Sequence, residues 1–510
     1  MNYKWKQDLW RGIELVLNIF AGNTKFEVSK ALVKETYLSD ERPWVVGFSG
    51  GKDSTALVQI IFTALSELST EQLTKKVYVI SSDTLVETPL IINKISQTLG
   101  RIQDRALELG LPIEAHKVKP APESTFWTSI IGKGYPTPRQ TFRWCTDRLK
   151  IEPANRFILD KVSKFGEVNM VLGVRDSESS TRAGVMQAHT IEGKVLMRHS
   201  TLTNAFVFAP IRSFDTDDVW EYLLQVESPW GDDNNELLKL YQDSNSECPL
   251  VVDKDIKESA GSCGNSRFGC WTCTVVSEDK ALSGFINNGV EWLRPLYDFR
   301  KFLVDIRADR NARQKHRMNG QVYLTTNLEG INVETSTKVP IKDLGNYLNQ
   351  HQIDLANVEE LNLIIIDHDG EFKQLGLGPF TLKAREEILR KLLQTQNKVR
   401  ELHDPTVELI SLDELKVIRQ FWEDDLDWED RIPKIYEEET GEQLVWDLND
   451  RPTFAEDQIT DLERLCNEEQ VNIAVLKKLI AVEKDYSGFK VRRGLLQDFE
   501  KALRQDFLHL

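Results

Sequence analysis

Two groups of residues in this sequence have the types and spacing to do chemistry. The first is Ser49-Gly50-Gly51-Lys52-Asp53-Ser54. Glycines lack a Cβ, so backbone N–H groups can converge on an anion at the positive end of a following helix. Lys52 adds a point charge, and Asp53 could hold a magnesium ion against the same phosphates. The spacing departs from a Walker A loop, which wants GxxxxGK followed by Ser or Thr. The second group is Cys248, Cys263, Cys270 and Cys273, with Gly261, Gly264 and Gly269 between them. Thiolates at such spacing suit a tetrahedral zinc or an iron–sulfur cluster, and buried thiols without metal are the bland alternative. Cys145 stands apart, in Trp144-Cys145-Thr146-Asp147-Arg148-Leu149-Lys150, and Cys466 sits alone in a helical stretch as a core or surface thiol.

Stepping along the chain, an apolar run over residues 44–48 has the β-branched content of a buried strand and breaks at Ser49-Gly50-Gly51 before a helix over about 53–69. Further strands are predicted over 77–80, 113–118 and 168–174, with a long helix over about 89–109. Strands alternating with helices imply a doubly wound, mostly parallel sheet, with ligands at the carboxyl ends of its strands. Those ends carry polar residues: Asp83-Thr84 and Glu87 after the second strand, and Arg175, Asp176, Glu178 and Arg182 after the fourth. A guanidinium offers a planar fork of donors suited to phosphate or sulfonate, although a lone arginine is more often a surface ion-pair residue.

The totals bound the partners. At 510 residues the chain can hold two to four domains, and its 41% hydrophobic and 28% charged content is that of a globular protein. No apolar stretch would span a bilayer, so no membrane partner is expected, and the start, MNYKWKQDLWRG, lacks the apolar core of a signal peptide. A cytoplasmic location is expected. A net charge of −16 argues against a surface that coats nucleic acid unaided.

The Ser49–Ser54 loop resembles the SGGxDS loop of the PP-loop ATP pyrophosphatases, an adenine nucleotide alpha hydrolase-like fold. With Asp83-Thr84, the Cys145…Lys150…Pro153 stretch, Gly173-Val174-Arg175…Arg182, Phe208-Ala209-Pro210 and Asp218-Val219-Trp220 in that order, the chain looks like the adenylylsulfate and phosphoadenylylsulfate reductase branch. That resemblance implies ATP bound by Ser49, Gly50, Gly51, Lys52, Asp53, Ser54, Asp83, Arg175 and Arg182, with Lys52 and Asp53 catalytic and Mg²⁺ as cofactor. It also tips the cysteines toward a [4Fe–4S] cluster. Cys263, Cys270 and Cys273 are taken as ligands, and Cys145 and Cys248 contend for the fourth place. With Cys248 there, Cys145 is the catalytic thiol that carries sulfur, its ionisation expected to be eased by Arg143 and Arg148.

The reductases act through a cysteine near the carboxyl terminus, whereas the last cysteine here is Cys466. The segment Cys248-Pro249-Leu250 followed by Cys263-Gly264-Asn265 and Cys270-Trp271-Thr272-Cys273 resembles instead the DndC family, sulfurtransferases of bacterial DNA phosphorothioation. That resemblance implies an ATP-dependent sulfurtransferase that adenylates a non-bridging backbone phosphate oxygen before sulfur replaces it. A cysteine desulfurase would supply sulfur, and DndD and DndE would be partners that deliver DNA. A sulfonucleotide reductase, a tRNA thiolase or a nucleotide-sensing scaffold are the alternative classes.

The expected organisation is a helical lead-in at 1–40, a catalytic domain at 41–320 containing the cysteine segment 248–273, and a mostly helical, partner-docking appendage at 321–510. Within 294–317, Arg307, Arg310, Arg313 and Arg317 recur at helical spacing and would share one face, either solvated or set against a DNA backbone. Residues 361–367 read as a strand ending in a His368-Asp369-Gly370 turn. Gly376-Leu377-Gly378-Pro379 marks a helix entry near Thr381, the acidic stretch 423–439 reads as a linker or solvated loop, and 456–508 reads as mostly helical.

Overall fold

The computed structural model describes residues 24–178, a few residues between 184 and 191, 195–243, 269–319, short strand pieces between 323 and 375, and most of 375–505. Chain contacts divide it into two compact units, one of Met1–Ala121 with Gln140–Leu293 and one of Pro122–Arg139 with Arg294–Leu510. These are not the expected divisions at 40 and 320. Helix α1 (Lys25–Leu38) buries Val33 and Tyr37 and packs on α2 (Lys52–Ser66) of the sheet unit, so this helix of the expected lead-in is part of that unit. At the other boundary, α8 (Arg294–Ala308) buries Leu296, Phe299, Leu303 and Ile306 within the second unit.

The first unit is built on strands β1 (Trp44–Gly47), β2 (Val77–Ser82), β3 (Ile113–Val118), β4 (Val168–Val171), β5 (Met197–Arg198) and β6 (Ala205–Phe208), ordered β3-β2-β1-β4-β6-β5. All neighbours pair in parallel except β5 on β6. The expected α/β, doubly wound and mostly parallel sheet is therefore present. Central β1 is buried on both faces, as its unbroken apolar run requires, and Trp44 is held edge-on by Tyr37 and Phe208. The remaining helices of this unit are α3 (Pro89–Glu108), α4 (Glu152–Phe165), α5 (Thr216–Gln225), α6 (Asn234–Asp243) and α7 (Lys280–Asn287). Because β2 and β4 lie on opposite sides of β1, the chain leaves β1 and β4 in opposite directions and opens a crevice at their carboxyl ends.

The second unit is mostly helical. Helix α9 (Leu382–Leu402) starts where expected, its first turn capped by the Thr381 hydroxyl, and is followed by α10 (Leu412–Asp424) and α11 (Arg431–Thr440). Helices α12 (Glu456–Glu468), α13 (Ile473–Asp485) and α14 (Leu495–Gln505) match the expected helical end. The acidic stretch read as a linker is largely α10 and α11, because Ile418, Trp422, Ile432, Ile435 and Tyr436 give it a buried apolar face that outweighs its charge. An antiparallel pair, Leu363–Ile366 with Glu371–Leu375, accounts for the predicted strand; the His368-Asp369-Gly370 turn between them lies outside the described residues.

Segment Pro122–Arg139 enters this unit and contains a single π-helical turn, Thr128–Gly132, with buried backbone carbonyls to satisfy. The indole N–H of Trp422 donates to Ile131 O at 2.6 Å, Trp127 donates to Leu409 O at 2.6 Å, and the Arg385 guanidinium donates to Gly132 O at 2.6 Å. The expected shared face of arginines is corrected here. Helix α8 stops at Ala308, so Arg310, Arg313 and Arg317 lie beyond it. Arg310 is buried and donates to Leu375 O, while buried Arg313 donates to Gly378 O and Arg307 O. Guanidiniums spent on buried carbonyls hold loops together and are not offered to a DNA backbone. No helix among the described residues is long and apolar enough to cross a membrane.

Candidate functional site

The site begins where β1 runs out of apolar residues. Gly50 takes φ +72°, which turns the chain from strand into helix and is open to glycine at little cost. The Ser54 hydroxyl donates to Gly51 O at 3.0 Å and accepts Ser49 N–H at 3.2 Å, closing the turn on itself. Helix α2 starts after Gly51 with no side-chain cap, so its first amides point into the crevice. Lys52 is buried, with its ammonium 3.5 Å from Asp53 Oδ2. On the other side of that carboxylate, Arg175 Nε stands 2.6 Å from Asp53 Oδ1. Arg175 comes from the loop after β4, is 3% exposed, and is steadied by the hydroxyls of Ser177 at 3.0 Å and Thr216 at 3.4 Å. Two buried cations thus flank one carboxylate at the head of a helix. Such an arrangement stores positive charge out of water, where an anion gains most from it.

Asp83, at the end of β2, is buried, accepts Leu85 N–H at 3.0 Å and has Lys117 and Lys119 each at 3.8 Å. Of the proposed nucleotide ligands, Ser49, Gly50, Gly51, Lys52, Asp53, Ser54 and Arg175 meet at the switch point, and Asp83 lies at the neighbouring strand end. Arg182 lies outside the described residues.

The cysteines gather beside the loop after β2. Cys270 forms a β-bridge with Glu87, its sulfur stands 3.3 Å from Thr84 Oγ1, and Trp271 N–H donates to Val86 O at 3.0 Å. Cys273 N–H donates to Cys270 O at 3.0 Å, the tight turn expected of a CxxC. Cys145, on the short helix before α4, is close enough to Cys273 for that thiol to oppose its ionisation. Burial, reinforced by the Glu87 carboxyl, pushes the Cys270 thiol up to about 12. Burial and then Cys273 also push Cys145 up, which corrects the expectation that Arg143 and Arg148 ease its ionisation; the nearest helpful cation is Lys150. Lys150 is in turn held protonated by Cys270 first, despite partial burial, and then by Glu87, whose carboxylate is 3.9 Å away. Buried Glu87 is itself raised, and its carboxylate accepts the Thr84 amide at 2.8 Å and the Thr84 hydroxyl.

Three thiols converging with one lysine are a donor set of the kind that thiolate-bound metals use. Among the described residues, however, no three His, Cys, Asp or Glu stand in metal-holding geometry. The other two thiols of the expected set, Cys248 and Cys263, lie outside those residues. Cys466 is a buried core thiol of the second unit.

Sequence reading passed over Tyr241 and gave Glu87 no task. Tyr241, whose hydroxyl accepts the Lys52 N–H at 3.1 Å, lies 189 positions beyond Lys52 on an ordinary amphipathic helix, and no spacing rule links the two. Glu87 was visible as a polar residue beyond a strand end, the one signal that could have raised it.

A doubly wound sheet with a glycine turn and buried cations at its switch point is an α/β arrangement suited to an anion at the carboxyl ends of its strands. Residues 43–276 match the family model of the phosphoadenosine phosphosulfate reductase domain. An uncharacterized protein of Methanocaldococcus jannaschii is 29% identical over 198 residues, 39% of this chain. The chain spans about a third, 35%, of the length of that curated relative. Among solved structures, the phosphoadenylyl-sulfate reductase of Candida auris is 16% identical, covering 40% of this chain and 81% of that one, with a TM-score of 0.26. The U34-tRNA thiolase NcsA of Methanococcus maripaludis, solved with its [4Fe-4S] cluster, is 12% identical, covering 50% and 87%, with a TM-score of 0.24.

Proposed function

We propose that this protein is an ATP-dependent sulfurtransferase that activates an oxygen by adenylation and replaces it with sulfur, acting on a non-bridging phosphate oxygen of DNA. The observation that carries the reading is the presence, in one unit, of a phosphate-type loop with buried Lys52 and Arg175 and of a separate cluster of thiols, Cys145, Cys270 and Cys273. Activation and sulfur delivery each need one of these.

In the first step the acceptor oxygen attacks the α-phosphorus of ATP and pyrophosphate leaves. Ser49 to Ser54 hold the pyrophosphate, and Lys52 offsets charge as it develops. Arg175 orients the Asp53 carboxylate, which would carry Mg²⁺. In the second step the outer sulfur of a Cys145 persulfide, loaded by a desulfurase, forms the P–S bond as the P–O bond to AMP breaks, and a dithiol reductant then cleaves the S–S bond, freeing the phosphorothioate and the Cys145 thiol as it becomes a disulfide. Cys248, Cys263, Cys270 and Cys273 would hold a [4Fe–4S] cluster, with Cys145 as the catalytic thiol that carries sulfur. When bound, that cluster would hold the cysteine segment folded beside that thiol. A cysteine desulfurase as sulfur source, and DndD and DndE as the partners that deliver DNA to an acidic protein, complete the proposal.

A sulfonucleotide reductase remains a second reading, because residues 43–276 match that domain. The test separates the two. Wild-type protein with Mg-ATP, a cysteine desulfurase, the partner proteins and duplex DNA is expected to release AMP and pyrophosphate and to leave phosphorothioate dinucleotides detectable after nuclease digestion. Lys52→Ala is expected to lose at least about 10²-fold in pyrophosphate release; retention of full activity would sink the proposal. Release of sulfite from phosphoadenylylsulfate with thioredoxin, in place of these products, would establish the reductase.

A further inference from the structure

The anion loop has a residue pressed against it that belongs to no part of the loop motif. Tyr241, on α6, accepts the backbone N–H of Lys52 on its hydroxyl at 3.1 Å. The same amide is the first of α2 and is among those that a loop-bound phosphate would use. The ring of Tyr241 lies under the Lys52 ammonium, 5.4 Å from its centroid, and so helps fix that side chain. Gly51 makes the approach possible: a Cβ there would stand 3.2 Å from the Tyr241 hydroxyl, tighter than ordinary contact. The ring cannot easily leave, because Tyr241 is 8% exposed and packs edge-on against Trp220 at 5.2 Å and 88°.

We propose that Tyr241 is a phosphate-binding residue of this site. Its hydroxyl accepts the Lys52 N–H and turns its own hydrogen to an oxygen of the terminal diphosphate of ATP, or of the released pyrophosphate. A phenolic O–H can do both at once, since the oxygen has two lone pairs and the hydrogen rotates to suit the ligand. Tyr241 thereby relays the Lys52 amide to the anion, taking that donor and presenting its own from a rigid ring against a buried lysine. The inference deepens the sulfurtransferase reading, on which it rests for the identity of the anion.

The test measures pyrophosphate, Mg-ATP and AMP binding by calorimetry on the full chain, comparing wild type with Tyr241→Phe, which keeps the ring and its packing. Far-ultraviolet circular dichroism and a thermal melt establish that the variant is folded, and Tyr241→His, which keeps a polar donor on a smaller ring, serves as a second variant. Tyr241→Phe is expected to weaken pyrophosphate and Mg-ATP about 10- to 150-fold, the effect of one hydrogen bond to a charged group. AMP, which lacks the diphosphate, is expected to bind unchanged, and Tyr241→His to recover part of the loss. Equal binding of pyrophosphate by wild type and Tyr241→Phe, or an equal loss for AMP, would overturn the assignment while leaving the sulfurtransferase reading in place. Wild-type protein that binds neither ATP nor pyrophosphate would overturn both.

Discussion

The two units bury cations in different ways. In the sheet unit, Lys52 and Arg175 converge on Asp53 at the open end of a helix, and one carboxylate against two cations leaves net positive charge at a crevice. In the helical unit, Arg385, Arg310 and Arg313 are equally buried, yet they donate to the carbonyls of Gly132, Leu375 and Gly378, with Arg385 also paired to the exposed side chain of Asp425 at 2.7 Å. The first pattern concentrates charge at a place built for an anion, while the second consumes donors where a loop has no ladder of its own. A buried arginine is thus informative about function only through what it touches.

The comparison can be broken most directly at Arg385. Arg385→Met leaves Gly132 O without that donor, and a loss of about 2 kcal/mol in urea denaturation is expected, with pyrophosphate binding intact in the folded variant. A folded Arg385→Met protein that no longer bound pyrophosphate would erase the distinction drawn between the two sets of cations. In the sheet unit the counterpart is Gly50→Ala. Alanine at φ +72° costs roughly 1–2 kcal/mol, and its Cβ would stand 2.7 Å from Ile95 Cγ1, so the loop must shift. Pyrophosphate affinity is expected to fall by about tenfold, comparable in free energy with the loss of stability; unchanged affinity in titration calorimetry would show that the loop is not the anion site.

The smallest effect sharpens the contrast through pH. Glu414 caps α10, accepting Ser411 N–H at 2.9 Å, and its burial raises its carboxyl above the usual range, although hydrogen bonds from Ser411 and Thr125 oppose the rise. An acid raised in the folded state contributes stability that is fully present below its ordinary value and is lost as pH rises through the raised one. Glu414→Gln keeps the accepting oxygen and removes the titration. The variant is expected to gain on the wild type, by less than about 1 kcal/mol, as pH rises from below the ordinary glutamate value toward neutrality. Parallel melting curves for both proteins across that window would refute this.

The strand–turn–helix around Gly50, the alternation that builds the parallel sheet, the Thr381 helix entry and the Cys270–Cys273 turn were all legible along the chain. Each is set by neighbours in sequence: β-branched content, glycine in a turn, a hydroxyl at a helix start, two thiols three residues apart. Arg310 and Arg313 were misread because a helical repeat says nothing about where the helix stops or which carbonyls lie beyond it. Likewise the charge of residues 423–439 hid an apolar face whose burial decides their fold.

What the sequence determined by itself is therefore the chemistry on offer: an anion loop with Lys52 and Asp53, arginines beyond β4, and a set of cysteines. Only the tertiary structure decided which of these meet. It set Arg175 on Asp53 across 122 positions of chain, Tyr241 on the Lys52 amide, Cys145 near Cys273 with Glu87 and Lys150 beside them, and residues 122–139 in the helical unit. The reason is physical. A turn or a cap is stabilised by residues a few positions apart, whereas these contacts form only after the sheet has fixed the order of its strands and the burial of apolar faces has brought distant loops together.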